Sequence, residues 1–186
     1  MTLEEALQQV VHALDRARIP YAILGGLAVR VYAIPRFTSD IDLMIAIERG
    51  DIPRLWQSLE SAGCEIREPF RSGWLGEVGG LPLVRASMPV RNGWIEVDIF
   101  LAECSFQRSI MDRRKLIDTP AGQMAFASPE DLVLLKLIAG RPKDLLDVQD
   151  ILFTMGDLDR PYMTRWADSL EIGQALQRAL DENDRI

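Results

Sequence analysis

The segment Arg36-Phe37-Thr38-Ser39-Asp40-Ile41-Asp42-Leu43 constrains this chain more than any other. Ile41 to Ile47 reads as a strand, and side chains two apart on a strand point to the same side. Ile41 and Leu43 then face a core, which leaves Asp40 and Asp42 together on the other face. Two adjacent carboxylates repel unless something positive lies between them. A hard cation with oxygen ligands, Mg²⁺ or in its place Mn²⁺, is the simplest solution.

A third carboxylate follows the same logic. In Trp94-Ile95-Glu96-Val97-Asp98-Ile99-Phe100, the β-branched residues alternate with Glu96 and Asp98. The Ile/Val face is the natural buried one, so Asp98 projects from the opposite face. If this strand lies beside the one carrying Asp42, three acids converge. Such a triad can hold two metal ions about 3.5–4 Å apart and clamp both oxygens of a phosphoryl transfer. Gly25-Gly26 fits the same chemistry. It follows the short apolar run Tyr21 to Leu24 and opens a helix, where backbone N–H groups can approach a phosphate. Taken singly, Gly-Gly is compatible with a tight turn and Asp-x-Asp with surface acids on an edge strand. Their combination is far more specific.

Around these motifs the chain alternates strands and helices, then turns helical. Leu3 to Arg18 has helical periodicity with Thr2 as N-cap, and Leu27 to Tyr32 and Ile52 to Ala62 are further helices. Arg71 to Gly80 is glycine-rich and reads as a loop. Leu81 to Arg91 and Trp94 to Leu101 flank Asn92-Gly93, a strong hairpin signal. Arg114 to Asp118 and Met124 to Ala127 read as short strands. Ser128-Pro129-Glu130-Asp131 is a helix start with Ser at N-cap and Pro at N1. Helices then run over Glu130 to Ala139, Lys143 to Met155, Arg160 to Leu170 and Ile172 to about Glu182. The expected class is α+β: a mixed sheet with flanking helices over residues 1–127, then a helical region over 128–186 that completes the site.

Composition removes several function classes. The formal net charge of −7 argues against non-specific nucleic-acid binding by the whole surface, so any RNA contact needs a local patch. The clusters Arg67/Arg71 and Arg113/Arg114/Lys115 are candidates, with Arg85, Arg91 and Arg108 as further members of a patch, and a solvated mixed-charge surface is the plainer reading of such runs. Cys64 and Cys104 have no metal-like spacing. His12, the single histidine, lies on the first helix and is poorly placed for catalysis. No apolar run approaches the ~20 residues of a membrane span. A soluble cytoplasmic protein with no membrane partner is expected.

Gly25-Gly26, thirteen intervening residues, Asp40-Ile41-Asp42-Leu43 and a later Asp98 resemble the signature of the nucleotidyltransferase β superfamily. Arg36-x-Thr38-x-Asp40-Ile41-Asp42-Leu43 and the run Asp131 to Asp147 look more narrowly like minimal nucleotidyltransferases of the AbiEii type, toxins of toxin–antitoxin pairs. The resemblance covers roughly residues 20 to 150. It implies a nucleotidyltransferase fold and a nucleoside triphosphate as substrate, with phosphates on Gly25, Gly26 and the metals. It also implies Lys136, Arg141 and Asp144 facing the nucleotide and Arg36 and Thr38 supporting it. The acceptor implied is the 3′ end of a tRNA or a protein hydroxyl, with a cognate antitoxin as partner. Read from the residues alone, Lys136 needs a charged partner or snorkels to solvent, and Asp144 and Asp147 share one helix face. A catalytically weak nucleotide-binding or partner-binding module of the same fold is the competing reading.

Overall fold

The computed structural model describes residues 1–73, 75–78, 80–91 and 93–185. Among them, strands β1 (Tyr21–Ile23), β2 (Ile41–Ile45), β3 (Gly76–Val78), β4 (Leu81–Val90), β5 (Gly93–Leu101), β6 (Lys115–Thr119) and β7 (Gly122–Phe126) form one mixed sheet, ordered β3-β4-β5-β2-β1-β7-β6. The helices are α1 (Leu3–Arg16), α2 (Gly25–Tyr32), α3 (Ile52–Ser61), α4 (Ser105–Arg113), α5 (Pro129–Ala139), α6 (Pro142–Met155), α7 (Arg160–Ser169) and α8 (Gly173–Asn183). The chain is therefore α+β with a helical C-terminal part, as its pattern predicts. No helix among the described residues is long and apolar enough to cross a membrane.

The strand pairing follows the side-chain alternation. Ile41 and Leu43 are fully buried, as are Val97 and Ile99. A one-residue slip of either strand would turn these residues to the pocket face and the acids inward, so burial fixes the register. β2 runs parallel to β5, with Ile41 beside Val97 and Asp42 beside Asp98. β1 runs antiparallel to β2 and parallel to β7, which brings Phe126 beside Ile23. The helix signals also hold. Thr2 and Glu5 form a reciprocal capping box on α1. Ser128 caps α5 by accepting from Asp131 N, Pro129 follows, and Gly140 closes the helix in the left-handed region. In α5, Leu132, Val133, Leu134 and Leu137 are buried, each contributing about 1.5–3 kcal/mol of apolar transfer.

Three features depart from the expectation. The β4–β5 hairpin forms, but Val90 pairs with Gly93, so Gly93 belongs to β5 rather than to the turn centre; Asn92 lies outside the described residues. The stretch Arg71 to Gly80 is not all loop: β3 lies within it, a three-residue edge strand that borrows its pairing from β4 (Gly76 opposite Leu83). Between β5 and β6 lies α4, to which the sequence pattern assigns no element. Only Phe106, Ile110 and Met111 supply its apolar stripe. Its start is set by a side chain, since Gln107 Oε1 accepts from both Glu103 N and Cys104 N at 2.9 Å.

Candidate active site

The chain turns from β1 into α2 at the glycine pair. Gly25 has φ +58°, a left-handed conformation that L side chains rarely adopt. A Cβ on it would fall 1.8 Å from Asp42 Oδ2 and 2.9 Å from Asp42 Cβ. A Cβ on Gly26 would meet Thr38 Oγ1 at 2.6 Å and Thr38 Cβ at 2.7 Å. The helix start can therefore lie directly against the Asp42 carboxylate and the 36–40 segment. Leu24 N donates to Asp42 O at 2.8 Å and ties the turn to β2. Leu24 is the N-cap residue and offers no side-chain acceptor. The first N–H groups of α2 are left for an anion.

The acids lie beside this turn. Asp42 and Asp98 sit side by side on adjacent parallel strands, a lateral spacing of about 4.8 Å between strands. Asp40 lies at the entry of β2, where its Oδ1 accepts from Ser39 N at 3.0 Å and Ser39 Oγ at 2.8 Å. Burial pushes the Asp42 carboxyl up to about 6, and the neighbouring Asp98 and Asp40 push it the same way, against Lys136 and Arg141. Burial also raises Asp40, but the two Ser39 hydrogen bonds, with Lys143 and Arg36 behind them, outweigh it and hold that carboxyl below its usual range.

The cations arrive from α5, α6 and the segment before β2. Lys136 is 5% exposed, and Asp144 and Asp147 are 0% and 1% exposed. Lys136 Nζ reaches Asp144 Oδ1 at 2.9 Å and Asp147 Oδ2 at 2.7 Å. Arg36 forks onto Asp147 at 2.6 and 2.7 Å. Arg141 Nε binds Asp144 Oδ2 at 2.5 Å. Lys136 is thus neither snorkelling nor alone: it joins two helices through buried carboxylates, and Arg36 is drawn into the same cluster.

One cavity of about 480 Å³ is lined by all ten residues singled out from the sequence: Gly25, Gly26, Arg36, Thr38, Asp40, Asp42, Asp98, Lys136, Arg141 and Asp144. Asp147 anchors the cations from behind it. Residues the sequence did not nominate for the site also line the cavity: Phe37, Arg85, Phe100 and Lys143. The hairpin points to Arg85 only once its register is known: a turn centred on Asn92-Gly93 would set it opposite Phe100, whereas the observed register sets it opposite Asp98. Phe37 carried no such signal; it is a large apolar side chain left 84% exposed.

A divalent cation suits this donor set. The groups are carboxylate oxygens, they crowd one another, and the glycine backbone leaves space at Asp42 that a Cβ would fill. Five cations and four carboxylates line the cavity, so a nucleoside triphosphate, which adds several negative charges, needs further positive charge there. Among the described residues, no group of three or more His, Cys, Asp or Glu side chains is arranged as a ready metal cage. Asp98 is engaged elsewhere: Arg85 Nε and Nη2 hold its two oxygens at 2.5 and 2.8 Å.

The arginines expected to offer a basic patch are largely occupied as well. Arg71 pairs with Glu60, and Arg113 pairs with Glu130 at 3.3 Å and stacks over Tyr162 at 3.8 Å. Arg67 lies over the Trp94 ring at 4.5 Å. His12 is exposed on α1, outside the cavity lining.

Comparison with known proteins agrees with the architecture. The chain resembles ANT(2″)-Ia solved with adenylyl-2″-tobramycin, at 17% identity over 96% of this chain and 98% of that one, with a TM-score of 0.58. It resembles an antigenic nucleotidyltransferase-like protein from Paracoccidioides brasiliensis at 22% identity, over 96% and 92% of the two chains, with a TM-score of 0.52. It also resembles the lincosamide antibiotic adenylyltransferase LnuA bound to lincomycin, at 19% identity over 81% and 96%, with a TM-score of 0.52. These likenesses are of fold. No match is found among the curated proteins. A family model described as "Nucleotidyltransferase of unknown function (DUF6036)" matches residues 1–179, and the chain belongs to that nucleotidyltransferase family.

Proposed function

We propose that this protein transfers a nucleoside monophosphate from a nucleoside triphosphate to an acceptor hydroxyl. The observation that carries the reading is the pairing of Asp42 with Asp98 on neighbouring strands, beside a glycine turn that no side chain could occupy. A divalent cation held by Asp40, Asp42 and Asp98, Mg²⁺ with Mn²⁺ as substitute, would supply Lewis-acid polarisation of the phosphate and help acidify the acceptor hydroxyl.

The protein's own groups divide the remaining work. Gly25, Gly26 and the start of α2 receive phosphate oxygens through backbone N–H groups. Lys136, Arg141 and Arg36 neutralise the triphosphate and the departing pyrophosphate, with Asp144 and Asp147 holding those cations in position. Thr38 packs against Gly26 and fixes the approach of the 36–40 segment. Asp98 takes the acceptor proton at a carboxylate oxygen as the acceptor oxygen bonds to the α-phosphorus and the bond to the pyrophosphate oxygen breaks. Most of the rate then comes from positioning and charge neutralisation.

Three acceptor classes belong to this proposal. The likeness to AbiEii-type toxins favours a tRNA 3′ end or a protein hydroxyl, with an antitoxin as partner. The likeness to ANT(2″)-Ia and LnuA favours a small hydroxylated compound. The internal pairing of Arg71, Arg85 and Arg113 leaves less free basic surface for RNA. Labelled triphosphates incubated with Mg²⁺ and either total RNA, a protein lysate or a small-molecule extract identify donor and acceptor together. Pyrophosphate release from the native protein should exceed that of Asp40→Ala by about 10²-fold or more. Equal release by the two proteins, with no labelled product, would leave the binding-module reading standing instead.

A further inference from the structure

Arg85 and Asp98 are direct cross-strand partners on β4 and β5. The guanidinium Nε and Nη2 take one carboxylate oxygen each, at 2.5 and 2.8 Å. A planar fork on a carboxylate is the strongest form of side-chain ion pair. Arg85 also lies 3.8 Å from Glu96 Oε2, so a second acid on the same face steadies it. The Arg85 side chain remains 43% exposed and lines the cavity, whereas Asp98 is 16% exposed. The pair is thus a partly open ion pair at the cavity wall, able to separate without disturbing the buried Ile/Val face of β5.

We propose that Arg85 is a guard on Asp98 that competes with the divalent cation for the same carboxylate oxygens, and so sets how tightly the site holds metal before nucleotide arrives. The proposal rests on the reading that Asp40, Asp42 and Asp98 hold a cation. While the fork is closed, Asp98 is withheld, and the apparent metal affinity is the open-state affinity multiplied by the fraction of molecules in which the fork is open. Opening the fork frees both the carboxylate for the ion and the guanidinium for an anion in the cavity, so the two ligands favour each other's binding.

The test is Mn²⁺ binding without nucleotide, measured by calorimetry or by the free-ion electron paramagnetic resonance signal. Native protein is compared with Arg85→Gln, Arg85→Lys and Arg85→Gln/Asp98→Asn, each checked for folding by circular dichroism. Arg85→Gln should bind about tenfold tighter, and Arg85→Lys, which keeps the charge but loses the fork, several-fold tighter. The gain should vanish when Asp98 is also replaced. Tighter binding by the glutamine variant alone would reduce Arg85 to general charge repulsion and overturn the guard. Equal affinity in native and both single variants, with pyrophosphate release intact, overturns the guard and leaves the proposed function in place. If none of the proteins binds Mn²⁺ at millimolar concentration, the guard and the metal-dependent function fall together.

Discussion

Gly25 and Gly26 both resist alanine, but for different reasons that two sets of variants can separate. Gly25→Ala places a methyl in a left-handed conformation and onto the Asp42 carboxylate and its Cβ. The conformation alone costs about 1–2 kcal/mol, and the overlap adds to it. The expected loss is at least about 2 kcal/mol of unfolding free energy, read from urea denaturation, with nucleotide protection abolished. Gly26→Ala meets only the Thr38 side chain. Combining it with Thr38→Ala should therefore recover stability, a non-additive pair measured as a double-mutant cycle. Gly25→Ala should show no such recovery with Thr38→Ala. Recovery of both, or of neither, would contradict this division of roles between the two glycines.

At the scale of elements, α5 and α6 are joined by buried charge. Lys136 bridges Asp144 and Asp147, whose other oxygens are held by Arg141 and Arg36. Replacing Lys136 by Met leaves two buried carboxylates short of a partner, which should cost about 3 kcal/mol in chemical denaturation. The same cluster fixes an acid limit. Burial pushes Asp144 and Asp147 up, but hydrogen bonds from Arg141 and Lys136 on one, and from Arg36 and Lys136 on the other, outweigh it and lower both. Lowered folded values mean that the unfolded chain binds more protons near the ordinary carboxylate range. The contribution is complete above that range and is lost as pH falls through the folded values. Urea midpoints from pH 7 down to pH 2.5 should show this loss, and Asp147→Asn should flatten it. An unchanged slope would place the acid sensitivity elsewhere.

The elements that carry the site were legible because each had a local cause. Alternation gave the pocket faces of β2 and β5, Ser128-Pro129 gave the start of α5, and apolar periodicity gave the helices after it. What escaped notice depends on tertiary structure. β3 is short and exists through its pairing with β4, and α4 has three apolar residues for its buried face. Arg85 is one arginine among many until the hairpin register sets it opposite Asp98. The spacing puts Asp147 on one helix face with Asp144, but its fork with Arg36 joins residues 111 positions apart, which no sequence spacing encodes.

At the scale of the whole molecule, the last helices brace the one that carries Lys136. α7 places Tyr162 so that its hydroxyl donates to Asp131 Oδ1 at 2.5 Å, while Ser128 Oγ donates to Asp131 Oδ2 at 2.7 Å. Asp131 is fully buried, and burial raises its carboxyl despite these hydrogen bonds and Arg113. Ser109 on α4 shares the Tyr162 hydroxyl at 2.9 Å, so one side chain links α4, α5 and α7. The apolar cluster is likewise continuous from α1 to α8. Residues 1–127 and 128–186 thus share one core, and the cavity takes Asp40, Asp42 and Asp98 from the first and Lys136, Arg141, Lys143 and Asp144 from the second. Tyr162→Phe removes only an oxygen, yet takes from the buried Asp131 the donor to its Oδ1 and leaves it Ser128 alone. It should lower stability by about 1–3 kcal/mol, with a deficit that shrinks as acid protonates Asp131, whose neutral form needs the hydroxyl less. Because the residue lies outside the cavity lining, triphosphate affinity below the melting range should stay within about twofold of native. A large loss of affinity with little loss of stability would instead mean that the Tyr162–Asp131 link positions Lys136 directly, and that the C-terminal helices tune the site rather than brace it.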